Sequence, residues 1–182
     1  EGNNEQIHGE GGIGSISSRL TLDGPLFSDK STFVISGRRT YADLFLKLSS
    51  DEDLKNNKLN FHDLSGKLTF NLSEKDKLTV SSYEGSDFLG LDEQFGLGWR
   101  NWVSSAQWSR NVSEKLFFDL QGYHSRYNYR VEFDDPDTGF EWKNKLSETG
   151  VKGQWTLLQN DRLQSFWGFQ SQLYHFAPIA LN

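Results

Sequence analysis

The chain has 182 residues, no cysteine and a formal net charge of −6, which excludes a disulfide scaffold and a thiolate metal site and argues against the basic footprint that nucleic-acid binding needs. Seventeen Gly against three Pro, with 14% aromatic residues, fits a chain of many strands and turns better than a helical bundle. The sequence contains no run of about 18 apolar residues, so no transmembrane helix is expected, whereas a membrane barrel, in which alternate residues face lipid, stays open.

Glu1 to Gly11 is polar and Gly-rich and reads as an extended connector, leaving 12–182 as the structured segment. Gly12 to Leu48 reads as a long β-hairpin. On its first arm Ile16, Leu20 and Leu22 share one parity and Ser17, Arg19, Thr21 and Asp23 the other, the period of two that a strand imposes. Ser49 to Lys58 is a charged loop. Leu59 to Leu72 then alternates cleanly, with Leu64, Leu68, Phe70 and Leu72 against Asp63, Ser65, Lys67 and Thr69.

A turn at Ser73 to Asp76 leads into the strand Leu78 to Tyr83, and Glu84 to Gly98 reads as a second long connection. The next strand sets Trp102, Ala106 and Trp108 against Ser105, Gln107 and Ser109. Beyond the turn at Asn111 to Lys115, Leu116 to Phe133 is a very long strand. The stretch DDPDTG at Asp134 to Gly139 is a turn by composition, and a last pair of strands flanks Leu158 to Arg162. The total is about eight strands, with short turns at one end and generally longer loops at the other, the asymmetry of outer-membrane barrels.

Several small motifs carry little chemistry. Gly9, Gly11 and Gly14 match the letters of a dinucleotide fingerprint, but a strand comes after them where phosphate binding needs a helix N-terminus. His8, His62, His124 and His175 lack metal-ligand spacing. Asp51, Glu52 and Asp53, and Asp134, Asp135 and Asp137, read as solvated turns, lacking the pattern of a calcium loop. No Asp or Glu pair is marked for glycoside hydrolysis, so no enzyme and no cofactor is read.

The runs SSRLTLDGP (Ser17 to Pro25), KSTFVISGRRTYAD (Lys30 to Asp43), FHDLSGKLTFNLSEKDKLTVSSY (Phe61 to Tyr83) and FQSQLYHFAPIALN (Phe169 to Asn182) resemble the N-terminal barrel strands of TonB-dependent outer-membrane receptors. The similarity is closest to those with a carboxypeptidase-like regulatory domain, relatives of the SusC-like transporters. The resemblance implies an all-β fold: an antiparallel up-and-down transmembrane β-barrel segment, part of a wall of roughly 22 strands. Residues 1–11 would be the plug-to-barrel connector and 12–182 the wall. It implies energy-coupled uptake of a glycan, peptide or metal chelate across the cell outer membrane. The partners would be the plug domain of the same receptor, the TonB complex, outer-membrane lipid and a surface lipoprotein lid, with no nucleic acid. A chain that starts at Glu1 without any methionine, and whose last strand lacks a terminal aromatic, reads as a piece of something longer.

Alternation places Arg19, Arg38, Asp63, Lys67 and Asp119 on the lumen side, because Arg or Lys facing lipid near the midplane costs roughly 2–4 kcal/mol. Arg39 has the opposite parity and is expected to snorkel at the outer interface. Tyr41, Phe45, Trp99, Trp102, Tyr127, Tyr129, Trp142 and Trp167 read as an aromatic girdle or rim. Phe88 and Phe95 are the loop aromatics expected to touch a ligand. Two rivals remain: a complete eight-stranded barrel acting as an adhesin or structural protein, whose first strand would pair with its last, and a soluble carbohydrate-binding β-sandwich.

Overall fold

The computed structural model describes residues 2–27, 30–51, 55–91 and 94–179. Its strands are β1 (His8–Ile13), β2 (Ser17–Pro25), β3 (Ser31–Thr40), β4 (Lys58–Asn71), β5 (Asp76–Leu91), β6 (Phe95–Asn111), β7 (Leu116–Phe133), β8 (Phe140–Asn160) and β9 (Leu163–Ile179), with the helix α1 (Ala42–Leu48) between β3 and β4. They form a nine-stranded antiparallel sheet in which each strand pairs with its chain neighbours in the order β1 to β9. The sheet is open: β1 pairs with β2 and β9 with β8. A closed small barrel needs β1 on β9 and a sandwich needs a second sheet, so neither rival describes this architecture.

Strand length increases as far as β8, from 9 residues in β2 to 14 in β4, 18 in β7 and 21 in β8, and is 17 in β9. About 9–11 residues suffice to cross a bilayer at a tilt, so β5 to β8 are long enough to cross and project beyond. At one end the short turns after β4 and β8 are built on a Ser and an Asn. Ser73 Oγ accepts the N–H groups of Lys75 and Asp76, both at 3.1 Å, and Asn160 Oδ1 accepts the N–H of Arg162 at 3.0 Å.

Three expectations need correction. Residues 8–13 are not only a connector: His8–Ile13 pairs residue by residue with Ser18–Asp23 as β1. Its glycines hid the strand, since they carry no side chain to alternate. Leu44, Phe45, Leu46 and Leu48 do not belong to a strand arm. They lie on α1, where the period of two breaks down and where Asp43 in the first turn and Lys47 in the last suit the helix dipole. Glu84–Gly98 is not a long connection. β5 runs to Leu91 and β6 starts at Phe95.

The glycines of that last stretch have a local cause. Gly90 and Gly98 share a face with Phe88, whose ring lies over them: a Cβ at Gly98 would sit 3.1 Å from Phe88 Cδ2, and one at Gly90 3.2 Å from Cε1. They mark an aromatic ring covering cross-strand backbone in a continuous strand pair. With this pair extended, the expected contrast between short turns and long loops largely disappears. Length is put into the strands instead.

Among the described residues no large apolar side chain is fully buried, and Leu20, Leu64, Phe169 and Leu173 are each more than half exposed. A soluble domain covers one sheet face with a second layer. Here the single layer leaves both faces open, and their chemistry tells them apart.

Candidate functional site

Register fixes the two faces, because residues paired across strands point to the same side. From Arg19 the ladder runs to Arg38, Asp63, Gly85, Asn101, Tyr127, Leu146 and Phe176. Lys67 and Asp119 have the same parity on β4 and β7. All five charged residues that alternation singled out therefore lie on one side, the Asp119 face. Leu20, Leu64, Leu68, Trp108 and Leu120 lie on the other, the Leu120 face.

Near the short turns the two faces have opposite characters. The Leu120 face carries rows such as Leu78, Trp108, Leu120 and Phe169, closed by the glycine of Gly153, and Leu68, Val80, Ala106 and Val151. Its rings contact one another: Phe118 and Trp155 at 4.4 Å between centroids, Trp108 and Phe118 edge-on at 6.0 Å. Across the same backbone the Asp119 face is hydrophilic and satisfies itself. Asp119 Oδ1 accepts from Ser109 Oγ at 2.5 Å and Gln107 Nε2 at 3.1 Å, Ser81 and Ser105 share a bond of 2.9 Å, and Tyr123 Oη donates to Glu148 Oε1 at 2.6 Å. Farther from the short turns, in the ladder that runs on to Tyr127 and Phe176, Arg38 binds Asp63 at 2.7 Å and Arg19 binds Glu10 at 3.1 Å. Lys67 has no carboxylate partner among the described residues.

Toward the other end the polarity inverts. The Asp119 face becomes aromatic in successive rows: Tyr127 with Leu146 and Phe176, then Trp99 with Tyr129, then Leu89, Leu97, Val131 and Trp142, then Leu91, Phe95, Phe133 and Phe140. Tyr129 meets Trp142 edge-on at 6.1 Å, and Phe133 stacks near Phe140 at 6.2 Å. Trp142 and Phe140 remain more than two-fifths exposed. Asp87, Asn101 and Asn144 lie among them on the same face. Aromatic bodies with a few fixed polar groups are what an organic ligand of mixed polarity needs.

The Leu120 face at this end is charged. Glu84 holds Arg100 at 2.7 Å and lies 3.6 Å from His62, and Glu141 holds Arg130 at 2.7 Å and Lys143 at 2.6 Å, with Glu132 also on Arg130. A concavity of about 510 Å³ lies here, bordered by Phe88, Gly96, Arg130, Glu132 and Glu141.

The aromatic girdle therefore separates into two sets. Trp102 and Trp167 lie on the Leu120 face, with Trp108 and Trp155. Trp99, Tyr127, Tyr129 and Trp142 lie on the Asp119 face, because their parity is the other one, and so cannot form one girdle with Trp102 and Trp167. Tyr41 caps the N-terminus of α1 and its hydroxyl donates to the carbonyl of Gly14; Phe45 lies on α1 and its side chain is outside the described residues. Phe88 and Phe95 are strand residues on opposite faces, and only Phe95 belongs to the aromatic rows. Arg39 has the parity of Phe33 and Ile35, in register with His62.

Asp135 is used by its turn. Its carboxylate accepts the N–H groups of Thr138 and Asp137 at 2.8 and 3.0 Å and the Thr138 hydroxyl at 2.9 Å. The Thr138 hydroxyl first, and then these amides, hold its pKa below the usual Asp value. Glu52 and Asp53 of the other acidic run lie outside the described residues, and among those described no cluster of three His, Asp or Glu is placed to hold a metal. Gly14 leads into the strand β2, so Gly9, Gly11 and Gly14 have no helix N-terminus to serve.

No family model and no curated protein matches the chain. Among solved structures it is similar to BauA, the ferric preacinetobactin receptor from Acinetobacter baumannii, with a TM-score of 0.63 at 8% identity over 92% of this chain and 29% of that one. At that identity the likeness is one of fold, and the chain spans under a third of the receptor it resembles. The fold is that of a β-barrel segment: an all-β, antiparallel, up-and-down wall with free edges.

Proposed function

We propose that this chain is part of the barrel wall of an outer-membrane receptor, with the Leu120 face toward lipid, the Asp119 face toward the lumen, and the short turns at the periplasmic end. The observation that carries this reading is the polarity inversion of a single sheet. An apolar face backed by a hydrophilic one suits the membrane-embedded zone, and a charged face backed by an aromatic one suits strands that rise into water around a ligand vestibule. The open edges at β1 and β9 are then where further strands of the same wall pair.

The finer reading is a TonB-dependent receptor of the regulatory-domain, SusC-related type, taking up a glycan, peptide or metal chelate. The plug would sit against Arg19, Arg38, Lys67 and Asp119, the TonB complex would act from the periplasm, and a lipoprotein lid would close the aromatic end. The wall does no covalent chemistry. It guides and contains.

The chain has no cysteine, so a cysteine introduced into it is its single thiol and can be read by mass-mapping the labelled peptide. In outer membranes, Leu120→Cys should resist a water-soluble maleimide, Gln121→Cys should react once the lumen is opened, and Lys143→Cys should react from outside intact cells. Equal labelling at residues 120 and 121 would overturn the membrane-wall reading. Uptake is tested by growth on a panel of glycans, peptides and iron chelates, with and without TonB.

A further inference from the structure

The charged end of the Leu120 face is not evenly balanced. Its acids are engaged: Glu84 with Arg100 and His62, Glu132 with Arg130, and Glu141 with Arg130 and Lys143. Arg126 and Lys145 have no carboxylate partner among the described residues. In a chain of net charge −6, this is a local surplus of positive charge.

These two cations are neighbours by register. Arg126 is opposite Ser147 and Asn128 opposite Lys145, so the four make a two-by-two cell on β7 and β8, cations on one diagonal and neutral hydrogen-bonding groups on the other. Such a diagonal spans about 7–8 Å between backbones, within reach of two long side chains closing on one tetrahedral anion. An adjoining concavity of about 300 Å³ is lined by Ser86, Phe88, Arg100, Asn128, Lys143 and Lys145. Gly98, opposite Phe88, lets the Phe88 ring lie flat along one wall of it.

Position decides the source of the anion. Trp102 is directly opposite Arg126. One row nearer the short turns come Ser104, His124 and Thr149, and one further the apolar row of Ala106, Gly122 and Val151. Trp marks the headgroup level of a bilayer, and cations at that level attract anionic headgroups.

We propose that Arg126 and Lys145, with Asn128 and Ser147, form a binding site for the phosphate of an anionic lipid anchored in the outer leaflet. Arg126 grips the phosphate through its guanidinium fork, Lys145 supplies a point charge, and the acyl chains lie along the apolar rows below. The site rests on the membrane-wall reading, and its test separates the two.

The intact protein is reconstituted in phosphatidylcholine vesicles containing either bisphosphorylated lipid A or its dephosphorylated form, and co-purifying lipid is measured by native mass spectrometry. Phosphorylated lipid should be retained preferentially. Each of Arg126→Gln and Lys145→Gln should weaken retention roughly fivefold and the pair about thirtyfold, whereas the charge-keeping pair Arg126→Lys and Lys145→Arg should retain it. Equal retention of both lipids, or retention unchanged in the double Gln variant, overturns the lipid site while leaving the wall intact. Inorganic phosphate competing as well as lipid A would make this a soluble-anion site and also overturn the proposal. Failure to enter vesicles at all, seen as loss of heat-modifiable migration, overturns the wall reading on which it stands.

Discussion

Leu120→Arg and Gln121→Arg place the same side chain one residue apart on β7, on opposite faces of the sheet. Leu120 is third of the outward series Leu116, Phe118, Leu120, Gly122, before the polar His124. From Leu116 to His124 the strand climbs about 26 Å, so position 120 is about 13 Å from either end. Its row neighbours are Trp108, Gly153 and Phe169. An arginine there cannot reach headgroups by extending, and its charge would be held among apolar rings. The expected cost is about 2–4 kcal/mol, the midplane value for a barrel strand. Gln121 lies among Gln107 and Lys152 on the Asp119 face, where an arginine stays hydrated, so its cost should be under about 0.5 kcal/mol. The assay is guanidinium unfolding of the vesicle-embedded protein followed by tryptophan emission, comparing midpoints at constant slope. Equal costs at the two positions, or a larger cost at 121, would refute the face assignment.

Gly153→Val should destabilise by about 1–3 kcal/mol, because Phe169 Cζ lies 2.7 Å from where its Cβ would stand; combined with Phe169→Ala the loss should fall well short of the sum in a double-mutant cycle on the same unfolding assay. Asp135 has its folded pKa below the ordinary 3.8, so its contribution to the Asp134–Gly139 turn is fully present above that value and is lost as pH falls through the depressed one. Amide exchange at Asp137 and Thr138 should therefore accelerate in that acidic window, and Asp135→Ala should remove the pH dependence. Trp142→Ala should leave the unfolding midpoint nearly unchanged, since the residue is 45% exposed, yet, on the proposed function, weaken binding of an organic ligand to the aromatic rows about fivefold, read by calorimetry.

The sequence was most legible where side chains alternate without interruption. Leu64 to Thr69 declares its faces outright, and Arg19, Arg38, Asp63, Lys67 and Asp119 fall on one side because register preserves parity across every antiparallel pair. It was least legible at glycines. Gly9, Gly11 and Gly12 gave β1 no pattern, and Gly90, Gly96 and Gly98 made a strand pair look like a loop when they record the space taken by the rings of Phe88 and the side chain of Glu132. The helix α1 was missed because its apolar run comes directly after a strand and was absorbed into it. The split of Trp99 and Trp142 from Trp102 and Trp108 follows from parity alone. It was hidden by grouping aromatics by their nearness to strand ends. The Arg126 and Lys145 cell could not be seen before β7 and β8 were in register, since the two cations are 19 positions apart in the chain.

The inversion of polarity also explains why composition alone leaves this chain looking like a soluble one. The apolar rows of the Leu120 face, from Leu20 across Leu64, Val80 and Ala106 to Trp155 and Phe169, are offset by the serines, glutamines and lysines directly behind them. Any average over neighbouring residues cancels. In water that face would leave large apolar side chains uncovered at about 25 cal/mol per Å², with no second layer in the described structure to remove them. On the proposed membrane-wall reading, lipid against one face and a hydrated lumen against the other satisfy both at once. A uniform solvent on both sides would leave the lower half of one face and the upper half of the other exposed, and the proposed wall between two media is the arrangement in which neither half is in the wrong environment.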